Sequence, residues 1–324
     1  MENMYTAQPF HEDFLPDLDG HNVYYAQYGN PDGVPIISFH GGPGSQSKAK
    51  YAQTFDLETY RVVLFDQRGC GKSTPQGEIK HNTTQDLLTD TERIRAELGI
   101  DNWFVTGGSW GSTLALMYGI EYTKSTRGLL LSSIFLADAA SDAWAFGDQD
   151  GVARLFPDGW AEMQHRLAEL GISGHISTPQ ALLQKLQSED QSIRMQAAAI
   201  VGNWEVNLLS RNIPLQYRRP EELSESDVAS ITIFLHYQAN QYFLPDGYII
   251  KNLSQIVNLP TVIVHGRYDI LCPLQAAWNV HKELPRSEFV ALPESHHSLS
   301  GDGSIARQYI FQAFLEKQTY QTNS

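Results

Sequence analysis

A serine inside a glycine-rich turn most constrains how this chain can fold. The turn, Gly107-Gly108-Ser109-Trp110-Gly111, follows the strand-like segment WFVT and precedes the helix-like segment STLALMYGI. The two outer glycines suit a strand-to-helix turn that leaves no space for side chains. Such a turn projects its serine above the carboxyl edge of a sheet, close to the positive end of the next helix. The segment therefore predicts a serine nucleophile on an α/β framework.

Short apolar runs alternate with helical patterns on both sides of this turn. The predicted strands are residues 23–28 (an edge strand), 35–39, 61–65, 103–106, 128–135, 260–265 and 288–292. The predicted helices between and after them are residues 87–98, 112–120 and 304–317. Strands that alternate with helices require βαβ crossovers, so we predict a mostly parallel sheet flanked by helices.

The pattern changes in the middle of the chain. Between residues 138 and 240 few β-branched runs occur, and helical stretches such as 180–187 and 192–209 dominate. We therefore predict one sheet domain, formed by residues 1–137 and 241–324, that is interrupted by a helical insertion at 138–240.

Two later strand ends carry the acid and the base that a serine nucleophile needs. A hydroxyl is weakly nucleophilic until a histidine takes its proton, and an acid must hold that histidine in the correct tautomer. Asp269 follows the strand-like TVIVHGRY, and His296 and His297 follow EFVAL. Serine, acid and histidine thus come in the order that this type of fold uses. Neighbours in an extended segment point to opposite sides, so only one histidine can reach Ser109.

A second glycine-rich loop, HGGPG at residues 40–44, directly follows the strand-like PIISF. Such a loop can turn a backbone N–H toward the negative charge that develops on a carbonyl oxygen under attack. We assign this donor to Gly42 and the second donor to Trp110, the residue after the nucleophile. An ordinary turn at a strand end is the alternative for the loop alone.

Composition and motif spacing exclude several other functions. The chain has 23 basic and 37 acidic residues, a net charge of −14, so neither nucleic acid nor a membrane surface is expected as a partner. Residues 66–73 end in GKS like a phosphate-binding loop, but Asp66 stands where that loop requires glycine. No H-E-x-x-H or C-x-x-C motif occurs, so no metal site is expected.

The expected location is the cytoplasm. The only two cysteines, Cys70 and Cys272, cannot form a disulfide framework and suit a reducing compartment. The first ten residues are polar, without the apolar core of a secretory signal. No apolar run approaches the ~18–20 residues of a membrane span.

Five segments together resemble the proline iminopeptidase family, serine aminopeptidases of the α/β-hydrolase superfamily that remove N-terminal proline from peptides. These segments are HGGPG, DQRGCGKS, GGSWGSTLAL, VHGRYDILCP and the late HHS. The resemblance implies catalytic Ser109, Asp269 and His297, because the family's histidine is followed by serine. It also implies an α/β-hydrolase fold, a helical cap over the site at about 138–240, no cofactor, and short peptides or small amides and esters as substrates.

The resemblance also implies residues that bind the substrate. Cap carboxylates of the family hold the substrate's free amino group, and Glu205 in NWEVN resembles the first of them. Phe135 and Cys272 stand where the family lines the pocket for the proline ring. A solvated position on a helix is the alternative for Glu205.

The chain departs from the family at three other positions. Ala239 stands where the family has a second cap glutamate, and Ser132 where it has an arginine. The family's Trp-Tyr-Tyr before Gln-Asp-Gly is Phe-Gly-Asp here, which makes Asp148 a candidate replacement carboxylate. The specificity pocket is therefore altered although the catalytic residues are present.

Three functions follow from these features. The first is an aminopeptidase for N-terminal proline or another small apolar residue, the second an esterase or amidase for small substrates, and the third a non-catalytic ligand binder. The complete set of Ser109, Asp269, His297 and HGGPG argues against the binder, and a serine at the turn excludes an aspartate nucleophile. Relative activity on prolyl amides, aryl esters and N-blocked amides separates the first two.

Overall fold

An eight-stranded, mostly parallel sheet forms the centre of the computed structural model, which describes residues 7–147, 151–172, 179–209 and 217–322. The strands are β1 (His11–Phe14), β2 (Tyr24–Gly29), β3 (Val34–Phe39), β4 (Tyr60–Phe65), β5 (Trp103–Ser109), β6 (Thr126–Ile134), β7 (Thr261–Gly266) and β8 (Ser287–Leu292). Their order in space is β1-β2-β4-β3-β5-β6-β7-β8. Strands β3 to β8 pair in parallel, whereas β2 is antiparallel to both β1 and β4. The predicted α/β fold is confirmed.

Helices cover the sheet and fill the long connection between β6 and β7. They are α1 (Ala49–Ala52), α2 (Thr84–Glu97), α3 (Trp110–Glu121), α4 (Ala139–Phe146), α5 (Pro157–Glu169), α6 (Pro179–Leu186), α7 (Gln191–Leu209), α8 (Glu225–Ala239), α9 (Tyr248–Asn252), α10 (Leu274–Glu283) and α11 (Asp302–Thr322). Among the residues that the structure describes, none of these helices has the length and apolar character needed to cross a membrane.

The edge of the sheet differs from the prediction. Residues 23–28 were expected at the edge, but β2 lies between β4 and a strand that the sequence pattern does not indicate, β1. All four residues of β1, HEDF, are exposed, so they lack the alternation of buried and exposed positions that identifies a strand. Polar, short edge strands of this kind protect a sheet from pairing with other chains.

The helices α4 to α8 build a second apolar core beside the one on the sheet. Buried side chains from α5, α6, α7 and α8 form it, among them Met163, Leu182, Trp204 and Leu235. Ile270 and Leu271, in the loop that follows β7, pack against this core. The helical segment is therefore joined to the carboxyl edge of the sheet, where parallel strands carry their functional loops. The domain division at 138–240 stays a prediction.

Candidate active site

Ser109 lies at the junction of β5 and α3, in a backbone conformation that few non-glycine residues adopt. Its φ is 57° and its ψ is −131°. A Cβ atom on Gly107 would lie 2.0 Å from the carbonyl oxygen of Gly111, and one on Gly111 would lie 2.3 Å from that of Phe39. Any side chain at either position would therefore open the turn. The strained backbone of Ser109 is of the kind that surrounding structure sustains at functional sites.

The HGGPG loop lies directly beside this serine. A Cβ atom on Gly41 would be 3.5 Å from the Cβ of Ser109. The following residue, Gly42, has a φ of +115°, a value that side chains rarely allow. The loop that was expected to supply a backbone donor thus borders the predicted nucleophile.

A hydrogen-bond network ties this loop to the residue after the serine. The backbone N–H of Gln67 donates to His40 Nε2 at 3.1 Å, and its side-chain amide donates to the His40 carbonyl at 3.0 Å. The indole N–H of Trp110 donates to Gln67 Oε1 at 2.9 Å. These three side chains are all nearly inaccessible to solvent. Gln67 therefore fixes the relative position of the two segments that carry Gly42 and Trp110.

The rest of the DQRGCGKS segment holds the loops together. The Asp66 carboxylate accepts hydrogen bonds from the backbone N–H groups of Ser47 at 2.7 Å and Lys72 at 2.8 Å. The Arg68 guanidinium is 1% exposed and binds both oxygens of Asp90, at 2.6 and 3.0 Å. A buried bidentate pair of this kind fixes geometry. The charged side chains of Asp66 and Arg68 are thus engaged in hydrogen bonds within the protein.

The loops after β7 and β8 bring Asp269 and His297 together. His297 Nδ1 lies 2.8 Å from Asp269 Oδ2 and 3.0 Å from Oδ1. The backbone N–H groups of Leu271 and Cys272 also donate to Oδ1, at 3.1 and 2.8 Å. On the histidine side, the Ser133 hydroxyl donates to the His297 carbonyl at 2.7 Å and holds the loop. Both members of the pair are therefore fixed by bonds from neighbouring segments.

The electrostatics of this pair favour a charged carboxylate beside the histidine. Burial alone would raise the pKa of Asp269, but the charge of His297 and a hydrogen bond from His265 lower it below its ordinary value. Burial would lower the pKa of His297, but the Asp269 charge and its hydrogen bond raise it above the ordinary value. The carboxylate thus stabilises the protonated imidazole, as a general base in this setting requires.

The neighbouring His296 is placed differently. Its ring lies 6.5 Å from that of Tyr268, and its Nε2 is buried without a hydrogen-bond partner.

Within the described residues, the Ser109 hydroxyl makes no hydrogen bond to His297. Such bonds are commonly long in unliganded sites and tighten when substrate binds.

His265 was not identified from the sequence, where it reads as part of the apolar run of β7. Its side chain is completely buried, and its Nδ1 accepts a hydrogen bond from the backbone N–H of Ile134 at 3.0 Å. The proton therefore sits on Nε2, which donates to the Cys272 carbonyl at 2.8 Å and lies 3.3 Å from Asp269 Oδ2. His265 thus braces the loop that carries Asp269.

Cys272 lies beside the Asp269–His297 pair, and Phe135 lies beside the first turn of α3. Cys272 is 5% exposed; burial raises the pKa of its thiol, and the charge of His297 and a hydrogen bond from it oppose this rise. Phe135 follows β6 and is partly buried, with its ring edge-on to Tyr242 at 5.2 Å. Its carbonyl accepts a hydrogen bond from Thr113 of α3 at 2.7 Å, which keeps it beside the helix that starts after Ser109.

Glu205 lies on α7 and is partly buried. Burial raises the pKa of its carboxyl group to about 7, and the charge of His297 opposes the rise. No group in the described part of the chain donates a hydrogen bond to it. The carboxyl group is therefore partly buried and within range of the His297 charge, which disagrees with the alternative of a fully solvated position.

The structure describes two of the three positions at which the chain departs from the family, Ser132 and Ala239. Asp148 lies outside the described residues. Ser132 is buried in β6, and its hydroxyl would lie 2.7 Å from a Cβ atom on Gly108, so it packs under the serine turn. Among the described residues, no group of His, Cys, Asp and Glu side chains is arranged to hold a metal ion.

The sequence is similar to proteins of one family along most of its length. A family model described as the alpha/beta hydrolase fold matches residues 34–304. The probable proline iminopeptidase of Leptolyngbya boryana is 40% identical over 310 residues, which cover 94% of this chain and 94% of that protein. The proline iminopeptidase of Xanthomonas citri is 38% identical over 291 residues, which cover 90% of this chain and 91% of that protein.

Solved structures share the fold at lower sequence identity. An esterase from Exiguobacterium antarcticum superimposes with a TM-score of 0.60 at 21% identity, covering 94% of this chain and 98% of its own. A carboxylesterase-related structure from Nitrososphaera gargenis has a TM-score of 0.62 at 15% identity, and the match covers 95% of this chain and 100% of that one. At such identities the likeness concerns the fold alone.

Proposed function

The chain belongs to the proline iminopeptidase family of the α/β-hydrolase fold, and from this we propose that it is a serine aminopeptidase. Its reaction is hydrolysis of the amide bond after an N-terminal proline or another small apolar residue, and its substrates are short peptides or small amides. The observation that favours this reaction over a simple esterase is Glu205, a partly buried carboxylate that has no hydrogen-bond donor among the described residues and lies within range of the His297 charge.

The proposed reaction uses an acyl-enzyme intermediate. His297 takes the proton of the Ser109 hydroxyl as its oxygen attacks the scissile carbonyl, and Asp269 holds the resulting imidazolium. The N–H groups of Gly42 and Trp110 bind the oxyanion. His297 then protonates the leaving amine, and a water molecule, deprotonated by the same histidine, releases the acyl group from Ser109.

The helical segment at 138–240 is proposed as a cap that supplies the amine-binding carboxylate. Support comes from α7, which carries Glu205, and from Ile270 and Leu271, whose packing joins this segment to the Asp269 loop. Phe135 and Cys272 are proposed to line the pocket for the N-terminal side chain. Both cysteines, Cys70 and Cys272, are buried and free, which is compatible with the proposed cytoplasmic location.

A panel of four substrates tests this function. We expect higher kcat/KM on prolyl and alanyl arylamides than on the N-acetylated prolyl arylamide, because only the free amines carry the charge that Glu205 binds. A simple aryl ester serves as a reference for the chemical step. Equal activity on free and N-blocked amides, with faster turnover of the ester, would favour the esterase function instead.

Glu205→Gln is expected to weaken binding of the substrate's amine. A partly desolvated carboxylate–ammonium pair is worth about 2–4 kcal/mol, so kcat/KM for prolyl arylamide should fall about 30- to 700-fold. Hydrolysis of the aryl ester should be spared, because the ester carries no cation.

In the wild-type enzyme the amide-to-ester ratio of kcat/KM should also fall below pH 7, since Glu205, with a pKa of about 7, loses its charge there.

The matched control for Glu205 is Glu162→Gln, a change of the same kind on an exposed ion pair of α5, where Glu162 binds Arg166 at 2.8 Å. This control should leave both substrates unaffected. A loss on amide and ester alike in Glu205→Gln, or on neither, would remove Glu205 from the amine site.

His265→Phe is expected to lower kcat about 10-fold with little change in KM, because it removes a hydrogen-bond donor that braces the Asp269 loop. His265→Gln keeps a donor in the side chain and should restore most of the activity. The measurement is kcat and KM for the aryl ester, with the concentration of active enzyme titrated in each preparation. An unchanged kcat per active site, or no difference between the two variants, would show that His265 acts on stability alone.

A further inference from the structure

The two edges of the sheet differ in character. The edge strand β1, HEDF, is polar and exposed, as strands that do not pair with other chains commonly are. The opposite edge strand β8, SEFVAL, has four consecutive apolar residues, and all of its residues except the last are at least partly exposed. It pairs with β7 on one side, and no described strand lies on its other side. Unpaired backbone groups beside apolar side chains favour pairing with a further strand.

The side chains of β8 alternate between two faces, and each face carries its own helix. Glu288 binds Lys317 of α11 at 2.6 Å, and Leu292 packs in the core to which α11 contributes. Phe289 lies on the other face, beside α10, with its ring 5.6 Å from that of Trp278. Even-numbered residues of β8 therefore face α11, and odd-numbered residues face α10.

An aromatic cluster extends the apolar surface at this edge. Trp278 on α10 is 44% exposed although its ring packs against those of His281 and Phe289. The rings of His281 and Phe289 are stacked, with their centres 5.2 Å apart. Aromatic side chains are enriched in the cores of protein–protein interfaces, so this cluster is suited to contact with a partner chain.

Two charges of opposite sign flank β8 at equal distances from Val290. Arg286 lies four residues before Val290 and Glu294 four residues after it, and both are exposed. Neither forms an ion pair within the part of the chain that the structure describes. If β8 pairs with a second copy of itself in antiparallel orientation about Val290, each Arg286 lies opposite the Glu294 of the other copy. The charge pattern of this edge is thus complementary to itself.

We propose that two copies of this chain associate through β8, which pairs with itself in antiparallel orientation about a two-fold axis at Val290. The two eight-stranded sheets then form one continuous sheet. Such an interface is isologous, because both copies contribute the same residues. On the α10 side, Phe289 lies opposite Ala291 of the second copy, so that a large side chain meets a small one.

The alternation of side chains restricts the register of this pairing. Residues that lie directly opposite each other in an antiparallel pair point to the same face, so even-numbered residues must lie opposite even-numbered ones. Moving the axis to Ala291 would place Glu288 opposite Glu294, which carries a like charge, and would separate Arg286 from its acidic partner. The axis at Val290 is therefore favoured by charge over this neighbouring register.

Sedimentation velocity of the whole chain over a range of protein concentrations, at low ionic strength, tests the association. We expect a reversible dimer. Arg286→Glu and Glu294→Arg each replace two attractive contacts by two repulsive ones, so each should raise the dissociation constant about 10- to 100-fold. The double variant with both changes restores two contacts of opposite charge and should return the dissociation constant to within about threefold of the wild type.

The matched control is Glu58→Arg, the same change at an exposed glutamate in the turn before β4. It should leave the dissociation constant unchanged. Hydrogen exchange of the backbone amides locates the interface: exchange in β8 should slow as the protein concentration rises, whereas exchange in β1 should not depend on concentration. Circular dichroism and thermal unfolding confirm that each variant is folded.

A chain that stays monomeric at every concentration would overturn the proposal. A dimer that neither single charge reversal weakens would also overturn it, because its interface would lie elsewhere. The same conclusion would follow if the amides of β8 exchanged equally fast at low and high concentration. A double variant that dissociates as readily as the single ones would contradict the pairing of Arg286 with Glu294 and hence the axis at Val290.

Discussion

Ser109→Ala is expected to lower kcat for prolyl arylamides by about 10⁴- to 10⁶-fold while the protein remains folded. The loss is this large because serine, histidine and acid act as a unit, so removing the nucleophile removes the contribution of His297 as well. Folding should persist because alanine fits the space of the serine, and the backbone at φ 57° is equally demanding for both residues. The measurement is kcat under saturating substrate, with far-ultraviolet circular dichroism as the test of folding.

The matched control is Ser112→Ala, one turn further along α3. Its hydroxyl donates to the Ser109 carbonyl at 2.7 Å and accepts from the Phe135 N–H at 3.1 Å. It therefore supports the same turn without being placed to attack a substrate, and its loss should reduce kcat by no more than about 10-fold. If Ser109→Ala kept activity within tenfold of the wild type, the nucleophile would have to be another residue.

The parts of the site that the sequence predicts are those whose chemistry depends on local backbone constraints. Gly107 and Gly111 indicate a tight turn because no Cβ atom fits at either position. A Cβ atom on these residues would lie only 2.0 and 2.3 Å from backbone carbonyl oxygens. Asp269 and His297 follow predicted strands, and parallel strands deliver the residues at their carboxyl ends to one edge of the sheet. Strand assignment alone was therefore enough to predict that both lie at the same edge of the sheet as Ser109.

The parts that were missed depend on packing between distant segments. His265 lies within an apolar strand, and its role becomes visible only from its bonds to Ile134 and to the Cys272 carbonyl. Strand β1 was missed for another reason, since an exposed polar edge strand is held by backbone bonds that composition does not reveal.

His297→Ala is expected to lower kcat about as much as Ser109→Ala does, by about 10⁴- to 10⁶-fold, whereas His296→Ala should stay within tenfold of the wild type. The physical reason is the pairing with the acid: the His297 ring lies 2.8 Å from Asp269 Oδ2, and the His296 ring lies beside Tyr268 instead. The two variants are compared side by side on the aryl ester and on prolyl arylamide, so that the loss can be assigned to the chemical step.

His297→Gln serves as the control for folding, because the glutamine amide can still donate a hydrogen bond to the Asp269 carboxylate. It should be as stable as the wild type to within a few degrees in thermal unfolding, yet as inactive as His297→Ala, since glutamine cannot accept and return a proton at neutral pH. An inactive His296→Ala beside an active His297→Ala would require the loop after β8 to turn over when substrate binds. That rearrangement would have to break the hydrogen bonds that join His297 to Ser133 and to Asp269.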